Sequence, residues 1–447
     1  MSYRLFGAET SAYSTKMRSY LKYKGVAFDW TPRTQESEEE LKRVSRFPTL
    51  PVLVTASGFA VHDTTPMMEA LEADSPEPSA MPADPALAFL VCVLEEYADS
   101  WLAKTVFHYR WTRKKDQRLA AQRSIDDYYV TTPPSAADRK AAEDRAIETM
   151  GAQLKTMQLE GELGDVLEKS LKRFVRLLDE HLKKHLFLFG ERPSMADFAI
   201  AGQLIQMMKD PTPAKVIEKE GPFVVKWCEF MAAPTASGPF AALDDLKETL
   251  GPIFKDDLGV FFLRWAAENL ESSLAGAETF TVTLGKEAVA LVPLRSAARS
   301  FRELRRKFVG GQAIEALKAF TDGTETTAYL LRPQRVDIAP APAAAPAESP
   351  DEAAEADALS EAGESEAGEA KGGKRRRRRR GRGRGGAEGG AAESSADAGE
   401  SDGESDGEGV DAQAGAEPSA VERAAADHAD ADAPQAGIAA DADDSED

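Results

Sequence analysis

A short acidic and hydroxyl-bearing stretch, FAVHDTT at residues 59–65, could recognise a small ligand. Thr64 or Thr65 is predicted to cap the helix that follows, and Pro66 suits its first turn. At a helix N-terminus, Asp63 could contact an ammonium group while the Thr64 hydroxyl and N–H contact a carboxylate, so the pair could hold an α-amino acid head group. The simpler interpretation is a helix cap without a ligand.

A second stretch, TLPVL at residues 49–53, places a proline directly before an apolar strand. Pro51 could simply begin the strand, where it has no ladder donor to lose. Alternatively, the Leu50–Pro51 peptide is cis, which an X–Pro bond adopts at low cost. In that case the N–H and C=O of Leu50 point outward and can pair with an extended peptide ligand.

The elements that position these stretches alternate between strand and helix patterns. The first 75 residues predict the order β-α-β, then a polar segment at 33–46, then β-β-α. Strands are predicted at 3–6, 26–30, 51–54 and 59–62, and helices at 14–25 and 63–74. Met17, Tyr20 and Leu21 share one face of the first helix, and Gly25 suits its C′ position.

The chain becomes helical after a proline-rich and acidic linker at 74–85. Long helices are predicted at 86–111, 164–190, 192–208, 221–234, 256–275 and 296–308. Short helices around a mobile loop are expected at 112–162, and a β-hairpin at 279–293 around Gly285. Ser194 and Asp197 have capping-box spacing. Ordered structure is expected to end near Arg335.

Charge is distributed unevenly along the 447 residues, whose formal net charge is -21. Residues 336–447 hold 29 acidic and 11 basic residues and no Phe, Trp or Tyr. Such a segment buries too little apolar surface to offset its ordering entropy, so we predict a disordered tail. Within it, residues 371–386 contain ten basic residues among glycines, a pattern that predicts weak, salt-sensitive affinity for RNA or other anionic partners.

The two cysteines, Cys92 and Cys228, lie far apart in apolar helical contexts. They predict neither a disulfide framework nor a metal site, and buried free thiols suit a reducing cytoplasm. No apolar run approaches the length of a membrane span, and no secretory signal is visible, so we expect no membrane association and a cytoplasmic location.

The combination of four motifs resembles the cytosolic glutathione S-transferase family. These motifs are GAETSAYSTKMRSYLKYKG after the first strand, TLPVL, VHDT and RPSMADF, and they span about residues 1–235. The resemblance implies an α+β fold with a thioredoxin-like domain at 1–75 and an all-helical domain at 84–250. We assign 256–335 to a helix, β-hairpin and helix extension, and 336–447 to the tail.

The resemblance also implies glutathione as co-substrate, held by Leu50, Pro51, Asp63 and Thr64. It aligns Ser11 with the residue whose hydroxyl or thiol contacts the glutathione sulfur, while the family's tyrosine position falls near Gly7. A Ser11 hydrogen bond and the helix N-terminus would favour the thiolate, which is the nucleophile. Ser11 could instead be an ordinary cap, and Thr10, Tyr13 and Ser14 compete with it.

The predicted function is transfer of the glutathione thiolate to a small electrophile by a homodimeric enzyme. A non-catalytic module with the same fold, whose charged tail recruits RNA or other partners, is the alternative, and a glutathione-dependent reductase or isomerase is a third. His108, Tyr109 and Trp111 could line the pocket of the second substrate, but packing residues are the better interpretation.

Overall fold

The computed structural model describes residues 3–45, 49–235, 238–307, 311–321, 324–331, 419–421 and 423. The predicted tail and its basic block at 371–386 lie outside the described residues, apart from the few near residue 420. All described residues belong to one unit.

The N-terminal part is a four-stranded sheet with three helices. Its elements are β1 Tyr3–Gly7, α1 Ala12–Tyr23, β2 Phe28–Pro32, α2 Glu38–Val44, β3 Val52–Val54, β4 Ala60–Val61 and α3 Thr64–Asp74. The strand order is β2-β1-β3-β4. Strand β1 pairs in parallel with β2, whereas β3 runs antiparallel to both β1 and β4. This topology confirms the thioredoxin-like fold.

Helix α1 is buried through the predicted face, since Met17, Tyr20 and Leu21 are fully buried. Gly7, at the end of β1, allows the helix to approach closely. A Cβ atom there would lie 2.6 Å from both Ser14 Oγ and the Trp30 ring. Position 7, near which the family's tyrosine position falls, therefore has no room for a side chain.

The helical part begins after the linker, and its described residues form nine α-helices. They are α4 Pro85–Tyr97, α5 Ala103–Thr112, α6 Lys114–Tyr128, α7 Ala136–Thr156, α8 Gly161–Leu182, α9 Met195–Met208, α10 Pro211–Glu220, α11 Pro222–Met231 and α12 Leu243–Pro252. A π-helical turn at Ala98–Leu102 joins α4 to α5, so the predicted helix at 86–111 is continuous but locally widened. Asp197 accepts hydrogen bonds from the N–H and hydroxyl of Ser194, at 2.8 and 2.6 Å.

The extension adds a second π-helical turn, four helices and a hairpin. These are Ile253–Leu258, α13 Phe262–Leu274, β5 Phe280–Leu284, β6 Glu287–Leu291, α14 Arg295–Lys307, α15 Gly311–Phe320 and α16 Glu325–Leu331. Gly285 turns the predicted hairpin with φ +66°. The extension shares its core with the helical part, because the Trp101 and Trp265 ring centroids lie 5.7 Å apart and those of Tyr97 and Phe262 lie 5.6 Å apart.

The structure corrects three local predictions. Residues 112–162 form two long helices, α6 and α7, which pack against each other. The many charged residues of this segment obscured the helical pattern in the sequence. The polar segment 33–46 contains the short helix α2. Asp63, and neither threonine, is the N-cap of α3, because its carboxylate accepts the Thr65 N–H at 3.1 Å.

A buried carboxyl joins the extension to the helical part. Asp257 is fully buried and accepts hydrogen bonds from Tyr97 Oη at 2.9 Å and Ser170 Oγ at 3.2 Å. Burial raises the pKa of Asp257 to about 7, although the hydroxyls of Tyr97 and Ser170 oppose the change. The folded chain therefore binds this proton more tightly than the unfolded chain does, so the contribution to stability declines as pH rises from about 4 to about 7.

We expect Asp257→Asn to gain stability relative to wild type as pH rises, because the amide stays neutral where the buried carboxyl must ionise. Between pH 5 and pH 8 the difference in unfolding free energy should shift in favour of the variant by about 2–3 kcal/mol. Urea unfolding at both pH values measures it. The exposed neighbour is the control: Asp256→Asn should show the same offset at both pH values. An equally constant offset for Asp257→Asn would contradict the prediction.

Candidate active site

A cavity of about 320 Å³ brings together residues from all three parts of the described chain. The N-terminal part contributes Tyr13, Thr49, Leu50, Pro51, His62, Asp63, Thr64 and Thr65; the helical part Glu96, Asp99, Ser100 and Lys104; and the extension Ser296, Ala297 and Ser300. Four of the five site residues expected from sequence, Leu50, Pro51, Asp63 and Thr64, thus line one cavity.

The loop before β3 supplies one edge of the cavity. The Leu50–Pro51 peptide bond is cis, the second of the two arrangements that the sequence allowed. Val52 follows directly and pairs with Phe6 of the central strand β1, which anchors the loop to the sheet. Among the described residues, none makes a hydrogen bond to the main-chain N–H or C=O of Leu50.

The start of α3 supplies a polar edge. Asp63 has φ +67°, an uncommon conformation for a residue with a side chain, and such outliers concentrate at ligand sites. Its side chain is exposed and caps α3, while Thr64 is buried. Thr64 Oγ1 accepts a hydrogen bond from Lys16 Nζ at 2.9 Å, so its own hydroxyl hydrogen can donate to a ligand.

Ser11 is not one of the residues that line the cavity. Ser11 is the N-cap of α1, is 2 % exposed, and its Oγ accepts the Ser14 N–H at 3.2 Å. Ser14 is fully buried and accepts the Ala8 N–H at 3.1 Å. The assignment of Ser11 to the thiol stays a prediction, since the cap interpretation accounts for its contacts.

Tyr13, in the first turn of α1, lines the cavity with its side chain. Its Oη donates a hydrogen bond to the main-chain oxygen of Asp99 at 2.8 Å. Burial and the neighbouring carboxylate of Asp99 raise the pKa of Tyr13 well above its ordinary value. The phenol therefore keeps its proton at neutral pH and gives it to the Asp99 main-chain oxygen, while the phenol oxygen can still accept a hydrogen bond.

A buried ion cluster lies behind the lining. Lys16, only 1 % exposed, donates to Glu95 Oε1 at 2.8 Å, to Asp99 Oδ2 at 2.7 Å and to Thr64. Burial alone lowers the pKa of Lys16, but the charges of Asp99 and Glu95 overcome it and raise the pKa. The cluster joins α1, the start of α3 and the helix that runs from α4 into the π-helical turn.

Two carboxyl groups on the helix that runs from α4 into the π-helical turn, those of Glu96 and Asp99, line the cavity and have raised pKa values. Burial raises the pKa of Asp99 to about 6 against the opposing charge of Lys16. Burial also raises the pKa of Glu96 to about 7, although the hydroxyls of Ser100 and Ser300 donate to it. Asp99 Oδ1 is buried and has no hydrogen-bond partner among the described residues, so it can accept from a ligand.

Sequence reasoning did not identify Glu96, Asp99, Ser100 or Lys104. The sequence feature that could have identified them is the presence of charged residues inside a long apolar helix. The aromatic candidates for the second-substrate pocket, His108, Tyr109 and Trp111, are buried and do not line the cavity. They are packing residues, which is the interpretation that the sequence favoured. His108 is held through Nδ1 by the main-chain oxygen of Leu159 at 2.6 Å.

Over the described ranges, no group of three or more His, Cys, Asp or Glu side chains could hold a metal ion. A search of the same residues found no helix with the length and hydropathy of a membrane span. Cys92 and Cys228 are free thiols outside the cavity, and burial raises the pKa of Cys92 to about 12.

Two domain families match the chain. Residues 5–79 match the glutathione S-transferase N-terminal domain, and residues 140–230 match the glutathione S-transferase C-terminal domain. Residues 5–79 and 140–230 are therefore the two domains of a glutathione S-transferase. No curated protein sequence matches it.

The solved structures that match the chain are distant in sequence. A glutathione S-transferase from Methylobacterium radiotolerans, in complex with glutathione sulfonate, is 18 % identical with a TM-score of 0.30, over 54 % of this chain and 99 % of its own. One from Rhodospirillum rubrum is 18 % identical with a TM-score of 0.33, over 56 % and 91 %. A β-etherase from Sphingobium is 18 % identical with a TM-score of 0.36, over 52 % and 96 %.

We expect Lys16→Met to be strongly destabilising, because it leaves Glu95 and Asp99 buried without their counter-charge. The expected loss in unfolding free energy is about 3–5 kcal/mol, measured by urea unfolding at pH 7. Lys22 lies on the exposed face of the same helix, so Lys22→Met should change stability by about 0.5 kcal/mol or less. Equal effects of the two substitutions would show that the ion cluster does not stabilise the fold.

Proposed function

We propose that this cavity binds glutathione and that the protein transfers its thiolate to a small electrophile. The observation that carries the proposal is the meeting, in one cavity, of the loop before β3, the start of α3 and a hydroxyl of the first turn of α1. These three places offer groups for a tripeptide main chain, an amino acid head group and a thiol.

The γ-glutamyl end of glutathione fits the polar edge of the cavity. Its ammonium is a cation that must leave water, and Asp63 and the unpartnered Asp99 Oδ1 are the acceptors for it. Its carboxylate can accept from the Thr64 hydroxyl and from the first N–H groups of α3, where the helix dipole is positive. Lys16 supports this contact by fixing the Thr64 oxygen.

In this proposal the cysteinyl unit lies against the main chain of Leu50, whose N–H and C=O groups can pair with it as a short strand. The sulfur then faces the loop before α1. A hydroxyl that donates a hydrogen bond favours the thiolate, and the thiol proton passes to solvent. The sulfur lone pair forms the new C–S bond, and the displaced pair leaves with the leaving group or moves to a carbonyl oxygen.

Cytoplasmic location and homodimer formation belong to this proposal as expectations of the family. A reducing compartment keeps both the glutathione thiol and the two free cysteines of this chain in the reduced form.

The first test concerns binding of the head group. Asp63→Asn retains a side chain that can cap α3 but removes the negative charge. We expect about tenfold weaker binding of glutathione, the equivalent of about 1.4 kcal/mol, by isothermal titration calorimetry. The exposed strand residue Asp29 provides the control, since Asp29→Asn should bind as wild type does. If wild type itself shows no heat of binding, the proposed function is wrong.

The second test separates Tyr13 from Ser11 as the hydroxyl that favours the thiolate. Because Tyr13 lines the cavity and Ser11 does not, we expect its hydroxyl to exchange the Asp99 main-chain oxygen for the glutathione sulfur when glutathione binds. Tyr13→Phe should then lower kcat/KM at pH 6.5 by about tenfold or more, the range of a lost charge-assisted hydrogen bond. The same variant should raise the pH at which bound glutathione ionises, read from thiolate absorbance.

Ser11→Ala should instead cost about 1 kcal/mol of stability through the lost helix cap and leave that pH unchanged. A raised thiol pKa in Ser11→Ala, with a normal one in Tyr13→Phe, would restore Ser11 as the activating residue.

A further inference from the structure

The last turn of α3 contacts a segment near the distal end of the sequence. Asp74 ends this helix, and its carboxylate accepts two main-chain N–H groups. Oδ1 accepts from Ala420 at 2.6 Å, and Oδ2 accepts from Val421 at 3.1 Å. The two donors lie 346 and 347 residues further along the chain, so the contact is tertiary and does not arise from a local turn.

The segment that meets Asp74 begins with a helical turn. The Arg423 N–H donates to the Ser419 main-chain oxygen at 3.0 Å, with the four-residue spacing of an α-helix. In the sequence, Ser419 and Glu422 have capping-box spacing, which predicts a helix start at Ser419. The first N–H groups of a helix have no acceptor within it. Asp74 therefore supplies acceptors that the distal turn needs and cannot provide for itself.

The position of Asp74 in its own helix also favours this contact. A carboxylate in the last turn of α3 lies at the negative end of the helix dipole, where an acidic side chain is unfavourable. Two N–H donors offset that cost, because hydrogen bonds to a charged acceptor are stronger than those between neutral groups. Asp74 thus suits an incoming pair of donors better than it suits the helix that carries it.

An apolar contact accompanies the polar one. Val421 is fully buried and belongs to the main apolar core of the described residues, and Ala420 packs against the same core. Residues 336–447 contain only six Val, Ile or Leu residues. A fully buried valine therefore distinguishes residues 419–423 from the rest of this acidic, apolar-poor stretch, since such a side chain gains free energy by leaving water.

Helix α3 also receives a contact from the extension. Lys307, the last residue of α14, donates to Glu69 Oε1. Glu69 is exposed on α3, five residues before Asp74. Two segments from the later part of the chain thus meet acidic residues of the same helix, and α3 joins both of them to the N-terminal part.

We propose that residues 419–423 are a docking motif that holds the distal part of the chain on the last turn of α3 in the same molecule. Asp74 fixes the turn through its first two N–H groups, and Val421 is the apolar anchor. The motif follows Leu331 after 87 residues, which can span at most about 290 Å. This length permits docking within one molecule, and the covalent link raises the effective concentration of the motif at α3.

Amide hydrogen exchange tests the contact at the two donors. The first N–H groups of a helix exchange rapidly unless a group outside the helix accepts them. In the full-length wild-type chain, the Ala420 and Val421 amides should exchange at least about tenfold more slowly than in the free peptide of residues 416–428. Exchange mass spectrometry with fragmentation measures both rates. Equal rates in the chain and in the peptide would overturn the docking motif.

Two variants assign this slow exchange to the proposed contacts. Asp74→Ala removes the acceptors, and Val421→Asp removes the apolar anchor, so each should bring the exchange of residues 419–423 close to that of a peptide of its own sequence. Asp29 is an exposed acid on a strand, and Asp29→Ala should keep the slow exchange of wild type. Slow exchange that persists in Asp74→Ala, or that is lost equally in Asp29→Ala, would contradict the role of Asp74.

Dilution separates docking within one molecule from docking between two. An intramolecular contact does not depend on protein concentration, so the slow exchange should be unchanged after about twentyfold dilution. Faster exchange on dilution would place the motif on a second copy of the chain and overturn docking within one molecule. Asp74 and residues 419–423 do not line the cavity, so these outcomes are independent of whether glutathione binds.

Discussion

The buried ammonium of Lys16 is the constraint on which the site depends. One cation contacts Thr64 at the start of α3 and two carboxylates, Glu95 and Asp99, in the helical part. A buried charge without a partner costs several kcal/mol of folding free energy. Lys16 therefore favours the relative placement of α1, α3 and α4 in which Thr64, Glu95 and Asp99 all contact its ammonium. That placement brings the polar start of α3 opposite Asp99 and leaves the cavity between them.

The helix that runs from α4 into α5 contributes to the site because it is not regular. The π-helical turn at Ala98–Leu102 contains Asp99 and Ser100, and such turns recur at functional positions in other proteins. Glu96, Ser100 and Lys104 follow at intervals of four residues, so they share a face of the helix. Helix α14 covers this face and supplies the serine that donates to Glu96, so the extension closes the cavity from the helical side.

Prediction from sequence succeeded where the determinants are local. Alternating apolar patterns located the four strands of the sheet and the hairpin around Gly285. The acid and hydroxyl at 63–64 and the proline at 51 were identified because a helix start and a strand start each have short signatures. The cap itself was assigned one residue too late, since Asp63 reaches its capping position through a positive φ that side-chain type alone does not predict.

Prediction failed where contacts join distant segments. Glu96, Asp99, Ser100 and Lys104 lie within an apolar helix, and nothing in their own stretch shows which neutralising or hydrogen-bonding partners meet them. Ser296 and Ser300 are about 200 residues further along the chain, and only packing of α14 on α4 brings them to the cavity. The charged 112–162 segment was predicted as short helices around a loop because α6 and α7 bury few large apolar residues, and their packing against each other and against α5 appears only in the structure.

The amino-acid sequence by itself determined the fold class, the strand and helix order of the N-terminal part, and two of the places where a peptide ligand could be held. The element order and the two places follow from periodicity, capping and proline chemistry, which act within a few residues, whereas the fold class follows from the family resemblance of several motifs together. The tertiary structure alone decided that Tyr13 lines the cavity while Ser11 caps a helix, that Lys16 neutralises the carboxylates behind it, and that the extension forms a wall. Burial and charge pairing are properties of several segments at once, and they exist only after those segments have packed.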